Sequence, residues 1–357
     1  MYEINQLKKG IKQLLDSGNE ALAKEILAQT HLIRKEMPGF SQIVKAQDII
    51  NKDGFDSTIY NDKPYLTTTE NQRYLDVTIP GNASSACVIL GAGDTVFELL
   101  SRGINKIVAL DINELQLLIY RLKKASIMTL SAKDYESFLI DCNSSKFLSK
   151  KVFGNIKDGF NQREEDAYYF WKTILEVNPS EDIAKHLFKG LIQPASKIRF
   201  ALPYLGNKKN YYELRSKLEQ ADIQLEQTDV ISYLQNTELT FDYIDITNIL
   251  LFYFQLDCSK NFDTLQKRMQ MLKTIYNERL NSGGTFVFDY WFGFTIESMY
   301  TYVPTNEIQK MSVNLYRSIY ENLLEMFEIE THTISGIIEG IRPDKDTILL
   351  TRKKNNQ

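Results

Sequence analysis

Cysteine and histidine are scarce in this chain, with three of each in 357 residues. Cys87, Cys142 and Cys258 lie far apart and form no CxxC pair, and His31, His186 and His332 are as scattered. Such spacing fits neither a disulfide framework nor a zinc-type ligand cluster. It fits reduced, mostly buried thiols in a cytoplasmic protein with no metal site. A basic excess is also missing: 42 Lys and Arg stand against 46 Asp and Glu, a formal net charge of -4. Proteins that grip a phosphate backbone show the opposite balance, so no nucleic-acid partner is expected. Long apolar runs are absent as well. The longest, Ile244 to Phe254, is interrupted by Asp245, Thr247 and Asn248, whereas a membrane-crossing helix needs about 20 apolar residues. The opening Met1-Tyr-Glu-Ile-Asn-Gln6 has neither the basic nor the apolar region of a signal peptide. What is present is an ordinary globular composition, 43% hydrophobic and 25% charged. The length suffices for a full core and an added helical region.

The chain opens with helical periodicity. Ile4, Leu7, Ile11, Leu14 and Leu15 recur at three- and four-residue spacing, Asp16-Ser-Gly-Asn19 breaks the pattern, and Met37-Pro-Gly39 ends its continuation. Lys8, Lys9 and Lys12 suit a partner- or membrane-facing helix, but Asp16, Glu20 and Glu25 dilute that face, which favours a helical lid. With the polar, turn-rich stretch that follows, residues 1–80 read as lid and connector.

From residue 81 the pattern changes. Ala86 to Leu90 is a short apolar strand, Gly91-Ala-Gly93 a turn, Thr95 to Arg102 a helix, and Lys106 to Leu110 a second strand closed by Asp111. Asn113 caps a long amphipathic helix. This is the opening of a doubly wound sheet, with its first half expected over residues 81–140. Residues 141–205 break the alternation with aromatic-rich helical stretches such as Tyr168-Tyr-Phe-Trp171 and read as a helical insertion. Residues 206–357 resume the sheet. Strands are expected at 224–227, 241–246, 285–289, 328–334 and 347–351, with Asn281-Ser-Gly-Gly284 as the turn into the fifth. A terminal strand pair after a GG-led fifth strand marks the seven-stranded sheet of class I methyltransferases. The expected fold is therefore α/β, Rossmann-like and methyltransferase-type, with an N-terminal helical segment and a helical insertion.

Glycines at 91 and 93 let the backbone turn sharply where a Cβ would meet a ligand lying over the strand ends. The free amides of the next helix point into the same crevice. Asp111, eighteen residues after Gly93, is placed to accept from both ribose hydroxyls. An adenosine-containing cofactor follows. NAD sites want a small residue three places after Gly93, where this chain has Val96; with the terminal strands, that favours S-adenosyl-L-methionine. Leu90, Ala92, Ile112 and Val230 flank the same cofactor-binding set. Asp229 suits the adenine amino group or a solvated turn. Asp94 suits the methionyl part, a helix N-cap, or both. Arg73 would clamp the methionyl carboxylate or lie on the surface.

The stretch Ala109-Leu-Asp-Ile-Asn-Glu-Leu-Gln116, then Leu122-Lys-Lys-Ala-Ser-Ile127 and Asp134-Tyr-Glu-Ser-Phe138, resembles the BtaA-like 3-amino-3-carboxypropyl transferases, which use S-adenosylmethionine. Asp111, Asn113 and Gln116 match that family's Asp-x-Asn-x-x-Gln sequence, and Phe170-Trp171 and His186-Leu-Phe-Lys-Gly190 look like its helical insertion. The resemblance spans roughly residues 85–200. The family's Ser-Gly-Gly-like turn is Gly91-Ala-Gly93 here, and the N-terminal segment has no counterpart. The resemblance implies transfer of the aminocarboxypropyl group to a hydroxyl or amine, with release of methylthioadenosine; in the family's named member the acceptor is a diacylglycerol hydroxyl. A small-molecule or lipid acceptor is expected. Methyl transfer and a catalytically silent, cofactor-binding regulatory subunit are the other readings. Asp245, at the tip of the fourth strand, is the candidate base or a bracing carboxylate, with Tyr290 as second catalytic candidate and Asn248 beside the cofactor.

Overall fold

The computed structural model describes residues 13–14, 16–19, 21–22, 65–140, 149–177, 197–247, 249, 262–293, 295–301, 303, 307–337 and 345–355. Most of the N-terminal helical segment, Asn248, Cys142, Cys258, His31 and the 178–196 part of the insertion lie outside them. At the expected break, Asp16 to Asn19, Gly18 takes a positive φ of 76° and Asn19 N donates to Leu14 O at 2.8 Å. The chain forms two compact units, residues 64–117 with 190–357 and residues 1–63 with 118–189.

The first unit holds the sheet. Its strands are β1 Ser85–Ile89, β2 Lys106–Asp111, β3 Asp222–Gln227, β4 Phe241–Asp245, β5 Leu280–Trp291, β6 Glu330–Ser335 and β7 Lys345–Arg352. Their order is β3-β2-β1-β4-β5-β7-β6. The first five run parallel, and β7 runs antiparallel to both β5 and β6. This is the Rossmann-like, class I methyltransferase-type sheet. Strand order reverses between β1 and β4, which opens a crevice beyond their carboxyl ends.

Composition explains the layout. Central strands buried on both faces read as apolar runs, as Ala86-Cys87-Val88 and Phe286-Val287-Phe288 do, all fully buried. The edge strands β3 and β6 are polar and half-exposed, which discourages further pairing. The helices of this unit are α1 Leu75–Thr78, α2 Asp94–Ser101, the first residues of α3 Glu114–Thr129, and, after the second unit, α7 Ile198–Ala201, α8 Lys208–Leu218, α9 Val230–Asn236, α10 Phe262–Arg279, α11 Ile296–Thr301 and α12 Glu307–Met326. One apolar core joins Met269, Leu272 and Ile275 of α10 with Val313, Ile319 and Leu323 of α12 against Phe286 and Phe288.

The segment Asn281-Ser-Gly-Gly284 is strand rather than turn. Gly283 has a φ of 77°, and the pairing of β4 with β5 shifts register between Phe241 and Tyr243. A Cβ on Gly284 would stand 2.9 Å from Asp242 O, so glycine lets the strand run on through a bulge.

The second unit, as described, is helical: α3 from Leu118, α4 Ala132–Ile140, α5 Lys150–Ile156 and α6 Glu165–Val177. Phe170 and Trp171 are buried, and Trp171 Nε1 donates to Leu118 O at 3.0 Å. A Cβ on Gly159 would fall 2.2 Å from Ala125 O, so that close approach requires glycine.

Candidate functional site

The glycine turn follows β1. Leu90 N still pairs with Leu110 O at 2.8 Å, and Gly93 N closes the turn on Leu90 O at 2.7 Å. Gly91 and Gly93 take φ values of 47° and 80°, the left-handed region that favours glycine. Among the described residues, and apart from its chain neighbours, no atom lies within 4 Å of where a Gly91 Cβ would stand, so the turn faces open space. Gly93 is the N-cap of α2, which leaves Asp94 as its first residue rather than its cap.

Asp111 ends β2 beside that turn. Its Oδ2 accepts from Gly91 N at 3.1 Å and its Oδ1 from Asn113 N at 2.8 Å. A carboxylate has about four acceptor directions, so each oxygen retains capacity for another donor. Burial raises its pKa to about 6, against the opposing pull of the two amides from Asn113 and Gly91. Asn113 caps α3 through its Oδ1, which accepts from Leu115 N at 3.0 Å. Gln116, one turn on, is buried. Its Oε1 accepts from Tyr65 N at 2.7 Å, and its Nε2 donates to Tyr65 O at 3.1 Å and to Gly91 O at 2.5 Å.

That last contact ties the turn to a segment expected only as connector. Residues Tyr65–Tyr74 form a strap fastened across several elements of the sheet unit. Thr68 N donates to Asp94 Oδ2 at 2.8 Å, and Asn71 N to Tyr290 Oη at 3.1 Å. Asn71 Nδ2 donates to Ser335 O at 2.9 Å, and Tyr74 Oη to Asp245 Oδ2 at 2.6 Å. Leu66, Tyr74 and Leu75 anchor the strap ends in the core.

The expected site residues separate in this frame. Leu90, Gly91, Ala92, Gly93, Asp94, Asp111, Asn113 and Gln116 converge around the turn. Asp94 is buried, with Oδ1 held by Tyr204 Oη at 3.0 Å. Asp245 is 2% exposed; beyond Tyr74 it accepts from Tyr243 Oη at 3.0 Å and, on Oδ1, from Thr247 N at 3.0 Å. Burial is the main cause that raises its pKa, and the donated hydrogen bonds resist it. Tyr290 is a buried strut whose hydroxyl donates to Asp346 Oδ2 at 2.6 Å. Burial and that carboxylate drive its pKa well upward. Asp229 caps α9, accepting from Ser232 N at 2.8 Å, with Val230 buried behind it. Ile112 is exposed. Arg73 stacks on Phe200 at 4.9 Å and donates to Phe200 O, the surface alternative of its two readings.

Sequence reasoning missed Thr68, Glu70, Gln72, Tyr74 and Tyr243. The signal for the strap was the repeated Tyr-Leu pair, Tyr65-Leu66 and Tyr74-Leu75, which brackets the polar run. Among the described residues no cluster of metal-ligating side chains occurs, and no helix is long and apolar enough to cross a membrane.

No family model matches the chain, and no curated protein matches it in sequence. Solved structures do match. The N-methyltransferase NodS from Bradyrhizobium japonicum WM9 aligns over 79% of this chain and 90% of its own, with TM-score 0.31 and 9% identity. Spermidine synthase from Thermotoga maritima aligns over 80% and 61%, with TM-score 0.33 and 11% identity. The methyltransferase domain of bacterial CtHen1-C aligns over 79% and 94%, with TM-score 0.32 and 10% identity.

Proposed function

We propose that the chain is an S-adenosylmethionine-dependent transferase that moves the 3-amino-3-carboxypropyl group to a hydroxyl or amine of a small-molecule or lipid acceptor. The observation that carries the cofactor reading is the pairing of Asp111 with Gly91. The carboxylate is fixed by a turn amide, keeps acceptor capacity on both oxygens, and stands beside the open face of a glycine turn. A ribose diol supplies two donors for those oxygens. Gln116 and Asn113 hold the turn and Asp111 in register, so the site is formed before a ligand arrives.

The sulfonium of the cofactor activates three carbons, and the one aligned with the nucleophile reacts. When the acceptor's oxygen or nitrogen attacks the methionyl γ-carbon, its bond to sulfur breaks and methylthioadenosine leaves as a neutral thioether. The acceptor's proton passes to a base; Asp245 is the proposed one, through Tyr74, whose hydroxyl it holds. The resemblance carried by Asp111, Asn113 and Gln116 supports this outcome over methyl transfer. The deciding experiment incubates the protein with S-adenosylmethionine and candidate acceptors and identifies the nucleoside released. Methylthioadenosine is expected. S-adenosylhomocysteine would make the chain a methyltransferase, and tight binding with no turnover would make it a regulatory subunit.

A further inference from the structure

Asp346, near the start of β7, is a buried carboxylate with two partners on or just past β5. Its Oδ1 accepts from Gly293 N at 2.8 Å and its Oδ2 from Tyr290 Oη at 2.6 Å. The first bond fixes the carboxylate, and the second orients a phenol. A tyrosine hydroxyl has one proton. With that proton turned to Asp346, the oxygen faces its other neighbour as an acceptor, and Asn71 N donates to it at 3.1 Å.

Asn71 is where this series of contacts enters the strap. Its Oδ1 accepts from Arg73 N at 3.2 Å, capping the short turn Gln72–Tyr74, and its carbonyl accepts from Tyr74 N at 3.0 Å. Tyr74 therefore hangs from Asn71 by a single turn. The Tyr290 ring also meets the Tyr74 ring edge-on, with 5.6 Å between centroids and 75° between planes. Turn and ring together aim the Tyr74 hydroxyl at Asp245 Oδ2, 2.6 Å away. Two tyrosine–carboxylate pairs thus stand in series, Asp346 with Tyr290 and Asp245 with Tyr74, all within the sheet unit.

We infer that Asp346 is a positioning residue for the Tyr74–Asp245 pair, acting through the Tyr290 hydroxyl and the Asn71 amide. Its bearing on proton removal rests on the proposed transferase reading, in which Asp245 works through Tyr74; the positioning itself does not. The competing account is that Asp346 only braces the exit of β5 through Gly293. That account predicts a stability loss on removing Asp346 and no change at Tyr74.

The test follows two signals of the ligand-free protein by NMR: the exchange rate of the Asn71 amide hydrogen, and the downfield hydroxyl proton of Tyr74, assigned by its loss in Tyr74→Phe. Wild type is compared with Tyr290→Phe, Asp346→Ala, Asp346→Asn and the double variant of the first two. Tyr290→Phe keeps the ring on Tyr74 and removes only the hydroxyl. Exchange about tenfold faster at Asn71, the scale of one lost hydrogen bond, is expected in Tyr290→Phe and Asp346→Ala. The Tyr74 resonance moves upfield in both. Asp346→Asn keeps an oxygen for the phenol and restores most of both signals. The double variant is no worse than Tyr290→Phe, because Asp346 acts through that hydroxyl. A Tyr74 resonance unmoved in the single variants, whatever their melting temperatures, or additive effects in the double variant, would overturn the inference. Should Asp346→Ala fail to fold, Tyr290→Phe decides alone. Neither signal needs a ligand. Wild-type protein that binds no nucleoside therefore ends the cofactor reading and leaves this one standing, whereas an unmoved Tyr74 resonance in protein that binds methylthioadenosine ends this one alone.

Discussion

Gln116 grips Tyr65 by both of its backbone polar groups, Oε1 on the amide at 2.7 Å and Nε2 on the carbonyl at 3.1 Å, while the same Nε2 reaches Gly91 O. One side-chain amide thus sets the strap against the glycine turn.

Gln116→Leu removes that link and leaves an amide and two carbonyls seeking partners. A loss of about 2–4 kcal/mol is expected from unsatisfied groups of this kind. It is read as a lower urea midpoint, and methylthioadenosine affinity should fall with it.

Gly91→Ala separates strain from occlusion. The positive φ costs an L-residue about 1–2 kcal/mol, and no atom of the described residues opposes the new Cβ. A modest drop in melting temperature is therefore expected, with a loss of nucleoside affinity that exceeds it. Equal effects on both would mean that no ligand crosses that face.

Asp111 gives a pH signature. Donor hydroxyls favour its charged form, so nucleoside affinity should fall as the pH drops below about 6, with proton release on binding near that pH. Calorimetry in buffers of different ionisation enthalpy detects the release. Asp111→Asn should flatten the profile and weaken binding. Stability runs the other way. The folded pKa lies above the ordinary 3.8, so the native state holds an extra proton between about 3.8 and about 6, and Asp111's contribution to stability declines as pH rises through that window.

Asp245→Asn tests bracing against base chemistry. The amide has one acceptor oxygen where the carboxylate serves Tyr74 and Tyr243 with one oxygen and Thr247 with the other. A destabilisation of about 1–3 kcal/mol is expected, with methylthioadenosine affinity within about twofold of wild type. Full turnover by the folded variant would remove Asp245 from the base role.

The features legible in the sequence are those written in local periodicity. β1, the glycine turn, α2, β2 and the Asp111 tip each occupy a few consecutive residues whose apolar spacing or backbone demand is visible along the chain. The terminal antiparallel pair is legible for the same reason. The strap has no such rhythm. Its amides are satisfied by Gln116, Asp94 and Tyr290, from 26 to 219 positions away, and a polar run with distant partners looks like any loop. Asn281-Ser-Gly-Gly284 is a related case: its glycines suggest a turn, and only the neighbouring Asp242 carbonyl shows that they make room for a bulge.

The strap also carries its own set of reporters. The amides of Tyr65, Thr68 and Asn71, spaced every third residue, each donate to a side chain on a different element: α3, α2 and β5. Each amide hydrogen exchanges with solvent only when its own catch lets go. Three peaks in one spectrum would therefore read separately whether the glycine turn, α2 and β5 are closed around the same crevice.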